Sequence, residues 1–478
     1  MSRALATFLL LASLPSWSLP ALAADKPGAI AKPDLTKAPE LPPAPSWKAP
    51  VPSSCATSTT FNLVSLPQHE LPIAHVLVTV AAGSALDPSN RPGLAAAVAS
   101  MLEDGGAAKR SSSEVAQAFA ALGTELEEHV DSDQVQLTMT VLARNLEPAI
   151  ALLKDLVEAP RFDPADWQRT QARRLDEIRR RLDQPEHVAD DVFAQVLYGD
   201  HPYGHPFIGT VDSVRAITVD ELRAFWRQRY SPSNVTFIVV GDVDDGALRR
   251  RFGFCRPAPR TSLPTTPPAP RPLPPRVVLV DRPGATQSEI RVGNLGFARS
   301  TPDFAALTLL ETVLGGSFTS RLNLNLREKH GYTYGARAQF DLRSVAGPFV
   351  AAAGVRTDAT AAALKETVAE IAGMRAPLSP AELQKGRALV MHSIVEAFAD
   401  GNETANYLAD LAAHHLPLDD WSKLPAALAA LDVAATTRVA GYAFRPDALT
   451  IVVVGDRKLV EPSLRQLPFV KSLEILTP

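Results

Sequence analysis

The feature that most constrains this chain is a strand ending that occurs twice. Val235-Thr236-Phe237-Ile238-Val239-Val240-Gly241-Asp242 recurs as Leu449-Thr450-Ile451-Val452-Val453-Val454-Gly455-Asp456, 214 residues further on. Each copy is a short apolar, β-branched run closing on Gly-Asp, the pattern of a buried strand running into a turn. A helical pattern precedes each, starting at Thr218-Val219-Asp220 and at Leu431-Asp432-Val433. Further upstream a Gly-Gly pair follows a helix in both places, at Gly105-Gly106 and Gly315-Gly316. These landmarks keep an offset of 210–214 residues. Such spacing predicts a tandem duplication of one α+β unit of roughly 200 residues.

Two proline-rich stretches punctuate the duplication. Residues 27–52 carry eight prolines and residues 257–275 carry nine. Neither can supply regular helix or ladder hydrogen bonds, so both read as extended linkers. In polyproline II at ~3.1 Å per residue, the second could reach roughly 60 Å, from one unit to the other. The first unit is predicted to hold strands near 58–66, 73–82, 124–142 and 235–241. Its helices are predicted near 91–103, 113–122, 145–157, 164–184 and 188–198. The second unit is predicted to hold strands near 276–281, 288–296, 333–342 and 348–355, with helices at 302–314, 319–329, 358–374 and 379–399.

The N-terminus reads as an export signal: Arg3, an apolar stretch containing Phe8-Leu9-Leu10-Leu11, and Ala21-Leu22-Ala23 as a cleavage site before Ala24. Pro15 and Pro20 interrupt the apolar stretch, which is short for a membrane span, so a cleaved signal over 1–23 is expected rather than an anchor. The mature chain is then periplasmic or secreted, with no integral membrane segment. A net charge of −4 argues against nucleic acid as partner, because phosphate binding needs a concentrated basic patch. The two cysteines, Cys55 and Cys255, are too few for a disulfide scaffold. They bracket the first unit and are either a bridge tying its entrance to its exit or two free thiols. The resulting segments are 1–23 signal, 24–54 proline-rich, 55–256 first unit, 257–275 linker and 276–478 second unit.

Several short motifs add chemistry. They are Gly83-Ser84 with Arg91-Pro92-Gly93-Leu94-Ala95, His201-Pro202-Tyr203-Gly204 through Gly209-Thr210, Tyr230-Ser231-Pro232 with Asn234, and Gly315-Gly316-Ser317 through Ser320-Arg321-Leu322. Taken together the chain resembles the insulinase/pitrilysin type of zinc peptidase, the inverzincins, over nearly all of residues 55–470. The resemblance implies two tandem homologous α/β units of this type, each an antiparallel-rich sheet packed with helices. The family's signature is His-x-x-Glu-His on the helix after a Gly-Leu-Ala. Its two His bind zinc, its Glu acts as general base, and a further Glu ligand lies 77 residues on. Here the matching positions are Ala96, Ala99 and Ser100, and only the third ligand position, Glu177, keeps its carboxylate. The family's acid seven residues before that Glu is Thr170 here. Glu177 reads either as a relic of the site or as a surface ion pair with Arg173 or Arg181, both at helical spacing. No replacement metal site is expected. His201 and His205 are four apart, but Pro202 and Gly204 make that segment a loop. His414-His415 is expected on the surface at a helix end, and His69-Glu70 in a loop beside Leu71-Pro72.

The second unit keeps the other half of the family's site. An Arg and a Tyr seven residues apart, which in the family bind the substrate backbone at the scissile carbonyl, are matched by Arg327 and Tyr334. Guanidinium and phenol are strong, positionable donors, suited to a developing oxyanion. The resemblance therefore implies a metal-free subunit with no catalytic residue of its own. It would pair with a zinc-bearing chain that has an intact His-x-x-Glu-His and help to bind and orient peptide substrates for hydrolysis, with zinc expected only on the partner. The other reading, from a different class, is a non-proteolytic scaffold or peptide-binding protein of the same descent.

Overall fold

The structure is a computed structural model describing residues 49–55, 61–252 and 266–477. The signal sequence, most of the 24–54 segment, the first part of the 257–275 linker, Cys255 and the side chain of Cys55 lie outside the described residues, and with them the disulfide question.

The duplication is visible in the sheets. The first half contributes β1 (Ser53–Cys55), β2 (Asn62–Pro67), β3 (Ile73–Val80), β4 (Glu127–Val130), β5 (Val135–Leu142) and β6 (Val235–Gly241), ordered β1-β2-β6-β3-β5-β4. The second contributes β7 (Val277–Asp281), β8 (Gln287–Leu295), β9 (Thr333–Phe340), β10 (Pro348–Arg356), β11 (Thr450–Gly455) and β12 (Glu474–Leu476), ordered β12-β7-β11-β8-β10-β9. Five strands correspond one to one, with the same pairings: β2 parallel to β6 as β7 is to β11, and every further neighbour antiparallel. The sixth strand differs, since β1 joins β2 antiparallel whereas β12 joins β7 parallel. The duplicated strand ending is the third strand of each sheet. Both β6 and β11 are buried on both faces, which is why their sequences are unbroken apolar runs. Edge strand β9 instead alternates, with Gly335, Arg337 and Gln339 outward and Ala336, Ala338 and Phe340 inward.

The helices of the first half are α1 (Leu94–Asp104), α2 (Ser112–Ala121), α3 (Leu146–Glu158), α4 (Pro164–Asp183), α5 (Pro185–Tyr198), α6 (Val211–Ala216), α7 (Val219–Arg229) and α8 (Asp245–Phe252). Those of the second are α9 (Phe304–Leu314), α10 (Thr360–Gly373), α11 (Pro380–Ala399), α12 (Gly401–Ala413), α13 (Asp420–Ala430), α14 (Val433–Ala443) and α15 (Arg457–Leu464). None among the described residues is long and apolar enough to cross a membrane. Two expectations need correction. The predicted strand 124–142 is a hairpin, turned where Asp131 accepts hydrogen bonds from the backbone N–H groups of Asp133 and Gln134. The predicted helix 319–329 is helical only in part and carries a π-helical stretch, Asn323–Lys329.

The halves exchange helices. Helix α5, from the first half, lays Phe193, Val196 and Leu197 against Val278, Val280, Val452 and Val454 of the second sheet. Helix α12, from the second half, packs on β3 and β6 of the first. Each sheet thus hides one face under a helix from the other half. Polar ties reinforce the exchange. The Tyr198 hydroxyl donates to Ala346 O at 3.1 Å, and buried Arg291 reaches Asp190 of α5 at 2.5 Å.

Within the second half, Glu311 of α9 accepts the N–H of Phe340 on β9 at 2.7 Å. Burial raises its pKa from 4.5 to about 7 despite that bond. The folded state therefore holds this proton more tightly than the unfolded chain. Its contribution is full below pH 4.5 and is lost as pH climbs to about 7. Glu311→Gln is expected to raise the unfolding free energy at pH 8 by up to about 2 kcal/mol and to leave it nearly unchanged at pH 4.5. Denaturant titrations at both pH values check this.

Candidate functional site

Helix α1 starts where it does because of a tight local construction. Gly93 is left-handed at φ 89°, and an added Cβ would lie 2.5 Å from Ile208 O. Gly209 approaches Pro92 O equally closely, so the Arg-Pro-Gly and Gly-Thr motifs lie against each other. The Asp87 carboxylate accepts from the N–H groups of Gly93 and Ala95, both at 2.7 Å, satisfying the first turn of α1. Burial lifts the Asp87 pKa to about 7, against the pull of those bonds and of Arg174.

Along α1, Ala96, Ala99 and Ser100 are all buried. Two methyl groups and one hydroxyl offer no imidazole or carboxylate donor, so this helix does not fit a zinc ion. Ser100 is instead part of a polar chain. Arg174 of α4 donates from Nη1 to Ser100 Oγ at 2.8 Å, and Ser100 Oγ donates to Glu128 Oε1 of β4 at 2.9 Å. Arg174 also donates to Ile208 O at 3.1 Å, while its Nε has no partner. Arg174 is 3% exposed. Burial lowers its pKa, and Glu128, Glu177 and Asp87 counter that. Burial likewise raises Glu128, offset by Arg174 and Ser100.

Glu177 lies exposed one turn beyond Arg174. The ion pair to Arg173 or Arg181 expected as its plainer role does not form. Arg173 is paired with Asp104, and Arg181 reaches Asp191 at 3.4 Å. Thr170 is buried and donates weakly to Asp104 at 3.5 Å.

In the second half, the π-helical stretch is held by Asn323, whose side chain donates to Ser317 O and Ala336 O and accepts from Ala336 N. A π-bulge at this point re-aims the side chains after it. The Arg327 guanidinium lies 4.2 Å from the Phe318 ring centroid, a cation–π contact, and 3.5 Å from Glu328. Phe318 itself is 66% exposed. Tyr334, near the start of edge strand β9, is 90% exposed and its hydroxyl has no hydrogen-bond partner among the described residues. No hydrogen bond or ion pair among the described residues joins Arg327 or Tyr334 to α1 or α4. Tyr334 is presented to solvent, while Arg327 is half-buried against Phe318 and Glu328.

The histidines singled out in the sequence each meet a local partner. His201 Nε2 meets Pro268 O at 2.7 Å and its Nδ1 accepts from Tyr203 N at 3.1 Å; His205 bonds Pro206 O. His69 is exposed beside Asp242 at 2.7 Å. His414, expected on the surface, is buried between Asp410 and Asp133, because the end of α12 is pressed against the turn between β4 and β5. Sequence reasoning also missed Arg174, Glu128, Asp87 and Phe318. For Arg174 a signal existed: it falls on the buried stripe Trp167, Thr170, Arg174, Ile178 of α4.

Comparison with known proteins agrees with this geometry. Residues 63–211 match the model of the insulinase (peptidase family M16) domain, and residues 216–390 match that of the peptidase M16 inactive domain. An uncharacterized zinc protease of Mycobacterium leprae is 32% identical over 242 residues, 50% of this chain and 54% of that protein. One from Streptomyces coelicolor is 31% identical over 240 residues, 48% and 51% of the two chains. The chain spans about half the length of these curated relatives. The crystal structure of a peptidase M16 inactive domain from Pseudomonas fluorescens superposes with a TM-score of 0.77 at 25% identity, covering 84% of this chain and 97% of that one. The structure of a protease from Helicobacter pylori, at TM-score 0.78 and 20% identity, covers 85% and 99% and shares the fold. With two six-stranded sheets of duplicated topology and both family domains matched in order, the chain belongs to the insulinase (M16) peptidase family.

Proposed function

We propose that this chain is the metal-free subunit of an exported insulinase-family peptidase. A second chain with an intact His-x-x-Glu-His carries the zinc, and this chain lends Arg327 and Tyr334 to grip the peptide near its scissile carbonyl. The observation that supports this most is Tyr334, a 90% exposed aromatic with an unbonded hydroxyl on an edge strand. A large ring left in water has no role in the stability of its own fold, whereas a positioned donor for a bound peptide must be left accessible. At the positions of α1 that match the family's signature, Ala96, Ala99 and Ser100 offer no imidazole or carboxylate. The scaffold reading draws on the other half of the picture, the filling of α1's polar face by Arg174.

The purified chain alone is expected to hold no stoichiometric zinc and to cleave no peptide. Metal analysis finding about one tightly bound zinc per chain would sink the proposal. So would hydrolysis that survives removal of every other chain. Co-purification from the native source, with mass spectrometry of the bound chain, is expected to recover a relative carrying His-x-x-Glu-His. Recovery of stable complexes only with proteins outside this family favours the scaffold.

A further inference from the structure

Arg327 and Tyr334 are presented with their polar groups unused. Arg327 has an ion pair of 3.5 Å to Glu328 and donates no hydrogen bond among the described residues, and the Tyr334 hydroxyl has no partner there either. The Phe318 ring, 4.2 Å from the guanidinium, engages its flat face and leaves the N–H groups along its edge free. Neither side chain is therefore held by its own donors, and their mutual placement is set by the backbone that carries them. That backbone is a closed loop. It leaves Asn323, passes Arg327, turns at Gly331 in the left-handed region at φ 63°, passes Tyr334 and comes back to Asn323 at Ala336. One side chain makes the closure. Asn323 Nδ2 donates to Ala336 O at 2.9 Å and Oδ1 accepts from Ala336 N at 3.0 Å, between residues 13 apart. The amide pairs with β9 as a neighbouring strand would, on the edge where the sheet ends. The same Nδ2 donates to Ser317 O at 3.0 Å and to Ser320 Oγ at 3.1 Å, which ties in the loop that carries Phe318. Asn323 is 7% exposed, and an amide is the side chain that offers a donor and an acceptor side by side.

We infer that Asn323 is a positioning residue: it holds Phe318, Arg327 and Tyr334 in one arrangement, so that the two donors reach a bound peptide together. The inference rests on the shared-site reading above and assigns the residue that makes that site rigid. Arg327 lies about one helical turn after Asn323, and Tyr334 two residues before Ala336, so a cut closure frees both. A donor displaced by about 1 Å no longer meets its acceptor at hydrogen-bond distance. The cut is local. Leu326 is fully buried, and Asn325 donates to Glu366 at 3.0 Å and Glu370 at 2.7 Å on α10, so the stretch stays on the fold without Asn323's bonds.

Two arms test it. In the first, the full chain alone is followed by hydrogen exchange. The Ala336 amide is expected to exchange at least about tenfold faster in Asn323→Leu than in wild type, with the amides of β10 unchanged. Unchanged exchange at Ala336 overturns the inference. In the second, the reconstituted pair is assayed on a fluorogenic peptide. Asn323→Leu is expected to lower kcat by on the order of a hundredfold with KM within about threefold. Added to Arg327→Ala with Tyr334→Phe, the same change is expected to cost less than about twofold more, because there is nothing left to position. An undiminished loss in that background, which a merely structural role would give, overturns the inference. Where Asn323→Leu does not fold, Asn323→Asp, of the same size but without the donors, is expected to lower kcat at least about tenfold, and wild-type kcat in it overturns the inference. If Arg327→Ala and Tyr334→Phe themselves leave both constants within about twofold of wild type, the shared site fails and the inference falls with it. If they act and Asn323→Leu does not, the inference alone falls.

Discussion

Tyr334→Phe, in the complex of this chain with its zinc-bearing partner, is expected to lower turnover about a hundredfold. Losing one oxyanion-type donor costs on the order of 3 kcal/mol of transition-state stabilisation, and this change removes a single hydroxyl while keeping the ring. The exposure of Tyr334 makes the test clean, because no neighbour depends on the hydroxyl and folding should be untouched. Arg327→Ala is expected to act in the same direction, though it also unstacks Phe318, on which the guanidinium rests at 4.2 Å. Neither change should alter zinc content. The measurement is kcat and KM of the reconstituted pair. Values within about twofold of wild type for Tyr334→Phe would remove the tyrosine from the shared site, and the same result for Arg327→Ala would leave this chain a scaffold.

The second large effect concerns the joint between the halves. Asp133, in the turn after β4, accepts from the Tyr203 hydroxyl at 2.6 Å and from Ser344 N at 2.8 Å, and faces His414 Nε2 at 3.5 Å. Ser344 and His414 belong to the second half. Asp133→Ala strips Tyr203 and Ser344 of their acceptor and His414 of its opposing charge in a buried setting, and is expected to destabilise the fold by about 3 kcal/mol, with Asp133→Asn milder. The pH dependence carries a sign. Burial alone would lower the His414 pKa, but Asp133 and Asp410 outweigh it and raise it from 6.5 to about 10. Burial works against an ionised Asp133, yet His414, Tyr203 and Ser344 hold its pKa below 3.8. The histidine's contribution is therefore full below pH 6.5 and lost as pH rises toward 10, while the aspartate's is full above about pH 4. Wild type is expected to unfold at lower denaturant at pH 9 than at pH 6, and Asp133→Asn to show a smaller difference. An equal pH response in the two proteins would remove Asp133 from the joint.

Much of this was readable from local pattern. The repeated strand ending marked the centre of both sheets, because a strand covered on both faces must be apolar at every position. Gly93 and Gly209 stood out as glycines in motifs, and both prove to be points where a Cβ has no room. That Ala96 offers no metal ligand and Ala99 no general base was certain from residue identity alone, since a methyl group can neither coordinate nor accept a proton whatever surrounds it.

What the order of residues left undecided was settled by contacts between segments far apart in the chain. Helices α5 and α12 have ordinary amphipathic patterns, and nothing in them says that each covers the other half's sheet. A hydrophobic stripe specifies that a face is buried but not against which partner, because the hydrophobic effect is non-directional. Arg173 and Arg174 are adjacent, yet one pairs at the surface with Asp104 and the other lies buried, donating to Ser100 and to Ile208 O. His414 was misread for the same reason. The state of a charged group is set by the burial and the opposite charges around it, and those come from elements that only the fold brings together.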